Sequence, residues 1–334
     1  MPLTTPVLRV ITASEVSAEV EADRAGALAA VRAAYLAHHA GTTANPHSSF
    51  LRFPHRDRDR IIALPAYLGG EVEVAGIKWI ASFPANTASG ILRASATLVL
   101  NDLATGYPYA LMESSIISAT RTAASAVLGA EELLGGRKAA RVGWVGTGLI
   151  AEHVRRFLRD LGWEIGGHRP FDLEPETARR FAEGLDGDVR VAESAAEAFA
   201  DCDLVVITTV AGEPHLHDPA LLAHAPVVLH LSLRDLAPEL ILDSFNITDD
   251  VDHAVRERTS LHLAEQSAGS RDFIAGTIGD VLTGTAAWDR TKAAVYSPFG
   301  LGVLDLAVGR WAHDRVVARG GGLEVPDFFT GAAG

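Results

Sequence analysis

Ala139–Arg155, AARVGWVGTGLIAEHVR, is the stretch whose reading decides the fold. Arg141-Val142-Gly143-Trp144-Val145 has the apolar character of a short strand. Glu152-His153-Val154-Arg155-Arg156-Phe157-Leu158 has helical spacing. Between them, Gly146-Thr147-Gly148-Leu149-Ile150-Ala151 has the G-x-G-x-x-A spacing of a dinucleotide-binding turn. The parts divide the work: Gly146 for the tight turn, Gly148 for close approach of a pyrophosphate to the backbone, Ala151 for close packing of helix on strand. The helix start adds free N–H groups and the positive end of its dipole. The spacing alone also suits an ordinary strand-to-helix turn, but the strand before it and the helix after it supply the context a nucleotide site needs.

The 334 residues allow two domains with a sizeable core, and nearly half are hydrophobic, as expected of a globular protein. A formal net charge of −13 argues against nucleic acid or an anionic membrane as the main partner. The single cysteine, Cys202, excludes an intrachain disulfide framework and points to a reducing, cytoplasmic setting. It stands between Asp201 and Asp203, which disfavour a thiolate, so it reads as structural. No stretch is long enough to span a bilayer, and the first residues lack a basic-then-apolar signal.

Before the glycine turn the pattern differs. Val7-Leu8-Arg9-Val10-Ile11 reads as a strand. Glu15 to His39 reads as one helix, N-capped by Ser14 and ended by Gly41, with His38 and His39 as capping imidazoles rather than metal ligands. Strands are expected at 49–53, 60–64, 72–81, 95–101 and 107–112, with no long helix among them, giving a largely antiparallel or mixed sheet. A helix over 113–134 then leads toward the glycine turn and bridges the two domains. Three cations stand out. Arg52 lies in Phe50-Leu51-Arg52-Phe53, on the face opposite Leu51 and Phe53. Lys78 interrupts the apolar run Val74–Ile80 and reads either as a solvated edge-strand lysine or as a functional group. Arg121 sits among small residues, Ser118–Ala124, as a surface arginine or a ligand contact. Guanidinium groups grip carboxylates in pairs, so the set suggests an amino-acid substrate.

After the turn, strands and helices alternate. The irregular strand 163–171, with Gly166-Gly167 and Pro170, ends at Asp172, which lies 26 residues past Gly146. An acid there suits a ribose hydroxyl and favours NAD over NADP, although Arg169 stands beside it; the alternative is a cap for a helix over 175–184. A helix over 192–200 precedes the strand Leu204–Thr209, whose run of apolar residues is that of a buried parallel strand with Thr208 and Thr209 at its C-terminal end. Val227–Leu231 is another such strand, followed by Ser232-Leu233-Arg234-Asp235, with Asp235 at the ligand-binding edge or capping the turn before Pro238. A strand at 244–248 leads to Asp249-Asp250-Val251-Asp252-His253, a helix start rather than a metal site. A short helix at 278–284, a strand at 293–296, the turn Ser297–Gly302 and a long amphipathic helix over 303–318 complete the chain. Ser297 is a candidate nicotinamide contact, and the apolar face of the last helix is expected to return to the first domain.

Gly76-Ile77-Lys78, Asn101-Asp102 with Thr105-Gly106-Tyr107-Pro108, Arg121-Thr122-Ala123-Ala124, Gly146-Thr147-Gly148 and the Ser297–Gly302 turn occur in an order that resembles the ornithine cyclodeaminase/mu-crystallin family over nearly the whole chain. Phe50–Pro54, Ile62–Gly70, Gly76–Pro84 and Ser232–Glu239 resemble more narrowly its N-(2-amino-2-carboxyethyl)-L-glutamate dehydrogenase branch, which serves siderophore or antibiotic assembly. The resemblance implies an α/β protein: a Rossmann NAD-binding domain over 122–302, and an α+β substrate-binding and dimerisation domain from 1–121 and 303–334. It implies a homodimer, NAD as cofactor, and a small amino-acid-derived substrate. It implies that Arg52, Lys78 and Arg121 hold the substrate, with Lys78 or Asp235 as acid/base. Gly146, Thr147, Gly148, Leu149, Ile150, Asp172, Thr208, Thr209, Ser232 and Ser297 fall at dinucleotide contacts, with Arg121 adjoining. The cyclodeaminases' Asp then Cys-Pro-Gly-Lys segment is Ser-Leu-Arg-Asp-Leu-Ala-Pro here, which speaks against ornithine cyclisation. A mu-crystallin-like protein that binds a dinucleotide without turnover is the non-enzymatic alternative.

Overall fold

The computed structural model describes residues 4–329. Its chain falls into two compact units, one running up to Arg121 and resuming at Leu301, the other spanning Thr122–Gly300. The helix Ser115–Leu134 belongs to both.

In the first unit the described residues form one mixed sheet. Its strand order is Leu323–Val325, Leu8–Ile11, Pro108–Glu113, Ala94–Asn101, Val74–Ser82, Arg56–Leu68 and Thr43–Ala44, with Ser49–Phe53 also paired to Arg56–Leu68. All pairs are antiparallel except Leu8–Ile11 with Pro108–Glu113. Val74–Ser82 is therefore an interior strand, which removes the solvated edge-lysine reading of Lys78. The expected helix over 15–39 is two helices, Ala13–Ala22 and Arg24–His39. Asp23, at φ −154°, interrupts the run, and its carboxylate accepts the Gly26 N–H at 2.8 Å to start the second helix. The first is capped by Thr12 rather than Ser14, with the Thr12 N–H donating to Glu15 Oε2 at 2.9 Å.

The helix Gly302–Ala318 packs on this sheet, and glycine sets how closely. A Cβ at Gly309 would lie 2.1 Å from Leu98 Cδ2, and one at Gly302 3.1 Å from Ala66 Cβ. Opposite them, a Cβ at Gly76 would lie 2.1 Å from the Val99 carbonyl and 3.0 Å from Leu306. The expected amphipathic character fails over the first half of this helix: every residue from Gly302 to Gly309 is buried.

The second unit is a wholly parallel sheet in the order Asp188–Val189, Gly167–Phe171, Val142–Val145, Leu204–Ile207, Val227–His230, Ala294–Tyr296, Phe245–Thr248 and Ile274–Thr277. Its first five strands have the doubly wound Rossmann order; Ala294–Tyr296, the last strand of this unit in sequence, inserts beside the fifth. The order reverses at Val142–Val145 and Leu204–Ile207, so the crevice at a switch point opens beside the glycine turn. Runs such as Val142–Val145 and Leu204–Ile207 are buried along their whole length because helices cover both faces. Gly143 has no room for a side chain, since a Cβ there would lie 1.9 Å from the Ala198 carbonyl. Cys202 is buried here, and burial pushes its thiol up to about 11.

The irregular segment expected at 163–171 resolves into Glu164–Ile165 and Gly167–Phe171. It is held by a side-chain bond: Trp144 Nε1 donates to His168 Nδ1 at 3.2 Å inside the core. His168 is 5% exposed, and burial lowers its imidazole to about 4. Protonation at Nδ1 would also break the Trp144 bond. Between the ordinary histidine value and about 4, the unfolded chain binds a proton that the folded chain refuses, so stability falls as pH falls through that window. Urea denaturation should show a loss on the order of 3 kcal/mol across it. In His168→Gln, whose amide oxygen can still accept from Trp144, that part of the pH dependence should disappear.

Candidate active site

The described side chains with chemical potential gather in two clusters, one in each unit. In the second unit they stand at the C-terminal ends of the parallel strands. Gly146 has φ +84°, where an L side chain is strained, and a Cβ there would meet the Thr208 carbonyl at 2.9 Å. A Cβ at Gly148 would meet nothing within 4 Å, so the backbone is open to an approaching phosphate. Gly148 caps the helix Leu149–Asp160, whose first residue, Leu149, is 61% exposed; Ile150 is half-buried and Ala151 fully buried. The open glycine, the free helix start and the small Ala151 fit a dinucleotide pyrophosphate.

Asp172 ends the neighbouring strand. Its Oδ2 accepts the Thr147 N–H at 2.8 Å and Thr147 Oγ1 at 3.1 Å, and its Oδ1 accepts the Glu174 N–H at 3.1 Å. The carboxylate thus braces the glycine turn. On the other side, Thr208 Oγ1 donates to the Gly146 carbonyl at 2.7 Å.

Thr209, Ser232 and Ser297 converge with Asp235. This aspartate is fully buried. Thr209 Oγ1 donates to its Oδ1 and Ser232 Oγ to its Oδ2. His215 Nε2 lies 3.1 Å from Oδ1 and His230 Nε2 3.2 Å from Oδ2. His230 Nδ1 in turn lies 3.2 Å from Ser297 Oγ. Burial by itself would raise the Asp235 carboxyl, but the bonds from His230, Ser232 and Thr209 outweigh it and hold the group well below the usual carboxylate range. The Ser297–Gly302 turn is fixed by Asp249, whose oxygens accept the Phe299 N–H at 2.9 Å and the Gly300 N–H at 2.7 Å. Asp250 caps the following helix through the His253 N–H at 3.0 Å.

In the first unit, Lys78 is 2% exposed and fully enclosed by helix and sheet. Its Nζ donates to Asp305 Oδ2 at 2.7 Å and to Ser118 Oγ at 3.2 Å. Arg121 Nε lies 3.5 Å from Asp305 Oδ1, and Arg121 Nη2 lies 3.5 Å from the same Ser118 hydroxyl. Burial drives the Lys78 ammonium down to about 8, with Asp305 pulling it up and Arg121 pushing it down. Two cations thus share one carboxylate with 0% exposure, which leaves a net positive charge. Neither Arg121 Nε nor Asp305 Oδ1 makes a well-formed hydrogen bond. The arrangement suits a carboxylate ligand taking up the excess charge and an amine that can exchange a proton near neutral pH. Arg52 lies exposed on the Ser49–Phe53 strand with its guanidinium 5.2 Å from the Phe50 ring centroid.

The sequence reading passed over three groups: Asp305, His215 and His230. Asp305 carried a usable signal, since it is the one charged residue in the otherwise apolar Gly302–Gly309 run.

A fold with a Rossmann half and these two clusters defines a class of dinucleotide-dependent proteins with amino-acid-like ligands. The chain belongs to the ornithine cyclodeaminase/mu-crystallin family, whose model matches residues 7–320. It is 28% identical to the N-((2S)-2-amino-2-carboxyethyl)-L-glutamate dehydrogenase of Staphylococcus aureus, covering 77% of this chain and 79% of that one. It is 26% identical to the alanine dehydrogenase of Archaeoglobus fulgidus over 96% of this chain and 98% of that one. Its fold matches the Delta(1)-pyrroline-2-carboxylate reductase of Thermococcus litoralis, solved with NADH and L-proline, at a TM-score of 0.86 and 21% identity, covering 95% of this chain and all of that one.

Removing Asp305 strands two cations in the core. Asp305→Ala should cost about 3–5 kcal/mol in urea denaturation near neutral pH. The cost should shrink above the Lys78 value of about 8, because the neutral amine no longer needs a counter-charge. Lys78→Met in the same background should recover most of it.

Proposed function

We propose that this chain is an NAD-dependent oxidoreductase that cleaves N-(2-amino-2-carboxyethyl)-L-glutamate to 2,3-diaminopropionate and 2-oxoglutarate with release of NADH. The broad part of this reading, an NAD-dependent dehydrogenase or reductase acting on amino acids or imines, is supported by family membership and by relatives named for such activities. The observation that carries it is the buried Lys78, lowered to about 8 beside Arg121. An amine poised near neutral pH next to a carboxylate-binding guanidinium is what oxidation of an amino acid requires.

NAD, when bound, supplies the hydride acceptor. The backbone of Gly146–Gly148 would receive the pyrophosphate, and Asp172 would receive a ribose hydroxyl and repel a 2′-phosphate. Leu149, Ile150, Thr208, Thr209, Ser232 and Ser297 would complete the dinucleotide contacts. Arg121 and Arg52 bind substrate carboxylates. Lys78 in its neutral form takes the proton from the substrate's secondary amine as the adjoining C–H bond gives up its hydride. Its carrier, Asp305, keeps the ammonium so formed from being an uncompensated buried charge. Asp235 is a poor base, since the Thr209 and Ser232 hydroxyls donate to it beside two imidazoles and its carboxyl is held well below the usual range; its role is to orient these neighbours. The 1–121 and 303–334 segments thus act as the substrate domain and 122–302 as the cofactor domain. We further propose a cytoplasmic homodimer, which would cover apolar residues of the first unit such as Leu51 and Trp79, now 47% and 45% exposed.

Supplying the glutamyl adduct with NAD and following NADH absorbance tests the reading. NADH should form in one-to-one ratio with 2-oxoglutarate. A cyclodeaminase would regenerate its NAD, so net NADH separates the two. NADH formation should rise with pH through about 8, where Lys78 loses its proton. Lys78→Met should lower kcat/KM ~1,000-fold or more, and undiminished turnover would remove the lysine from the mechanism. Asp172→Ser should raise turnover with NADP relative to NAD by about tenfold or more.

A further inference from the structure

Oxidation of a secondary amine yields an imine, and cleaving it is a second chemical task. Water must lose protons as its oxygen joins carbon, and the departing nitrogen must gain them. One group that takes and returns protons serves both needs. It must stand at the edge where the dinucleotide binds and be open to water.

His215 meets these conditions. It lies on the loop that leaves the strand Leu204–Ile207 at its C-terminal end, and its side chain is 44% exposed. Its Nε2 is 3.1 Å from Oδ1 of the fully buried Asp235. The backbone holds the ring there: the His215 and Leu216 N–H groups both donate to the Asp235 carbonyl, at 3.0 and 2.9 Å, and the Ala237 N–H donates to the Leu216 carbonyl at 2.9 Å. Thr209 Oγ1 shares the same carboxylate oxygen, which ties the start of the loop to its end. A half-exposed imidazole with one nitrogen on a buried carboxylate leaves the other nitrogen for solvent or substrate. This is the division of labour in an Asp–His pair: the acid fixes the tautomer and stabilises the imidazolium, while the ring carries the proton. The other charged groups on the surrounding loops have their own partners. Glu213 pairs with Arg258 at 3.9 Å, His217 with Glu239 at 3.4 Å, and Arg234 donates to the Glu257 carbonyl at 2.7 Å.

Resting on the reaction given above, we propose that His215, oriented by Asp235, is the acid–base group for hydrolysis of the imine. The oxidation given above breaks the glutamyl Cα–H and N–H bonds, for which NAD, when bound, would be the two-electron acceptor, and leaves a C=N bond. Water oxygen then bonds to that carbon, one water proton passes to His215, and His215 returns it to nitrogen, giving a carbinolamine. His215 next takes the carbinolamine hydroxyl proton and delivers it to nitrogen as the C–N bond breaks. The products are 2-oxoglutarate and 2,3-diaminopropionate, and His215 ends as it began.

Stopped-flow NADH absorbance and coupled detection of 2-oxoglutarate separate the two steps. His215→Ala should form its first equivalent of NADH at close to the wild-type rate and release 2-oxoglutarate ~100-fold more slowly. Added imidazole should restore release about tenfold or more, because the truncated site is open to solvent. His217→Ala, whose ring is 62% exposed, should match the wild type. Unchanged release in His215→Ala overturns the proposal, as does a loss in which NADH formation slows equally and imidazole restores nothing. His215→Gln, whose amide can still reach Asp235, serves if the alanine protein does not fold, and it should show the same separation of steps. If the wild-type protein makes no NADH from the adduct, the functional reading fails and takes this assignment with it. If it makes NADH and the histidine variants release 2-oxoglutarate normally, only this assignment fails.

Discussion

The buried ion pair of Lys78 with Asp305 constrains how the last helix of the first unit sits on its sheet. A lysine and an aspartate at 2% and 0% exposure are costly to bury, and attraction compensates only at close range with good geometry. The close range comes from glycine. Gly302, Asp305 and Gly309 recur at helical spacing on one face, so the helix approaches the sheet where the glycines stand and delivers the carboxylate between them. Gly76, two residues before Lys78 on the same strand face, removes the last side chain that would hold Leu306 away. The apolar burial of that helix and the placement of one charge are therefore a single event. Filling any of these glycines would move the carboxylate from its partner.

The second unit solves a similar problem differently. Asp235 has no strong cation on it; it is satisfied by two hydroxyls and two imidazoles. The parallel sheet makes this possible, because every strand ends at the same edge. Thr209 comes from the end of one strand, Ser232 and Asp235 from beyond the next, and Ser297 from the end of its neighbour. Side chains far apart in the chain meet there without any long excursion, at the same edge as the open turn at Gly146–Gly148.

What could be read from the sequence follows the range of the physics involved. The turn at Gly146–Ala151 was legible because its requirements are local: a positive φ, an open Cβ position and a small residue a few positions on. The run of buried parallel strands was legible for the same reason, since each is apolar throughout. Lys78 was visible as a lone charge in an apolar strand, but its state was not, because its partner lies 227 residues away. Asp305 was masked by its position. An acid in the first turn of a helix is already explained by the dipole, so nothing local asks for a second role. The break at Asp23 was hidden because apolar spacing runs on through it. The strand Leu323–Val325 was hidden because it is short and pairs with the start of the chain. His215 is unremarkable until the loop carrying it is seen tied to the Asp235 backbone.

The two clusters share one electrostatic logic, which decides which groups can move protons. A buried carboxylate surrounded by donors is stabilised as the anion, and the donors that make it stable also make it a weak base. Proton traffic then falls to whatever the carboxylate holds. For Asp305 that is Lys78, whose burial lowers it to about 8 while the nearby acid limits the fall. For Asp235 it is the imidazole side of the network, where one ring is fully buried and the other 44% exposed. The exposed ring faces water; the buried one is lodged between Asp235 and Ser297. An amine suits removal of a proton from another amine, because the two have comparable affinities for it. An imidazole suits the transfer between water oxygen and a departing nitrogen, because it gives up and accepts protons near neutrality. On the proposed reaction, the acids stay fixed charges and each proton transfer falls to the base that an acid orients.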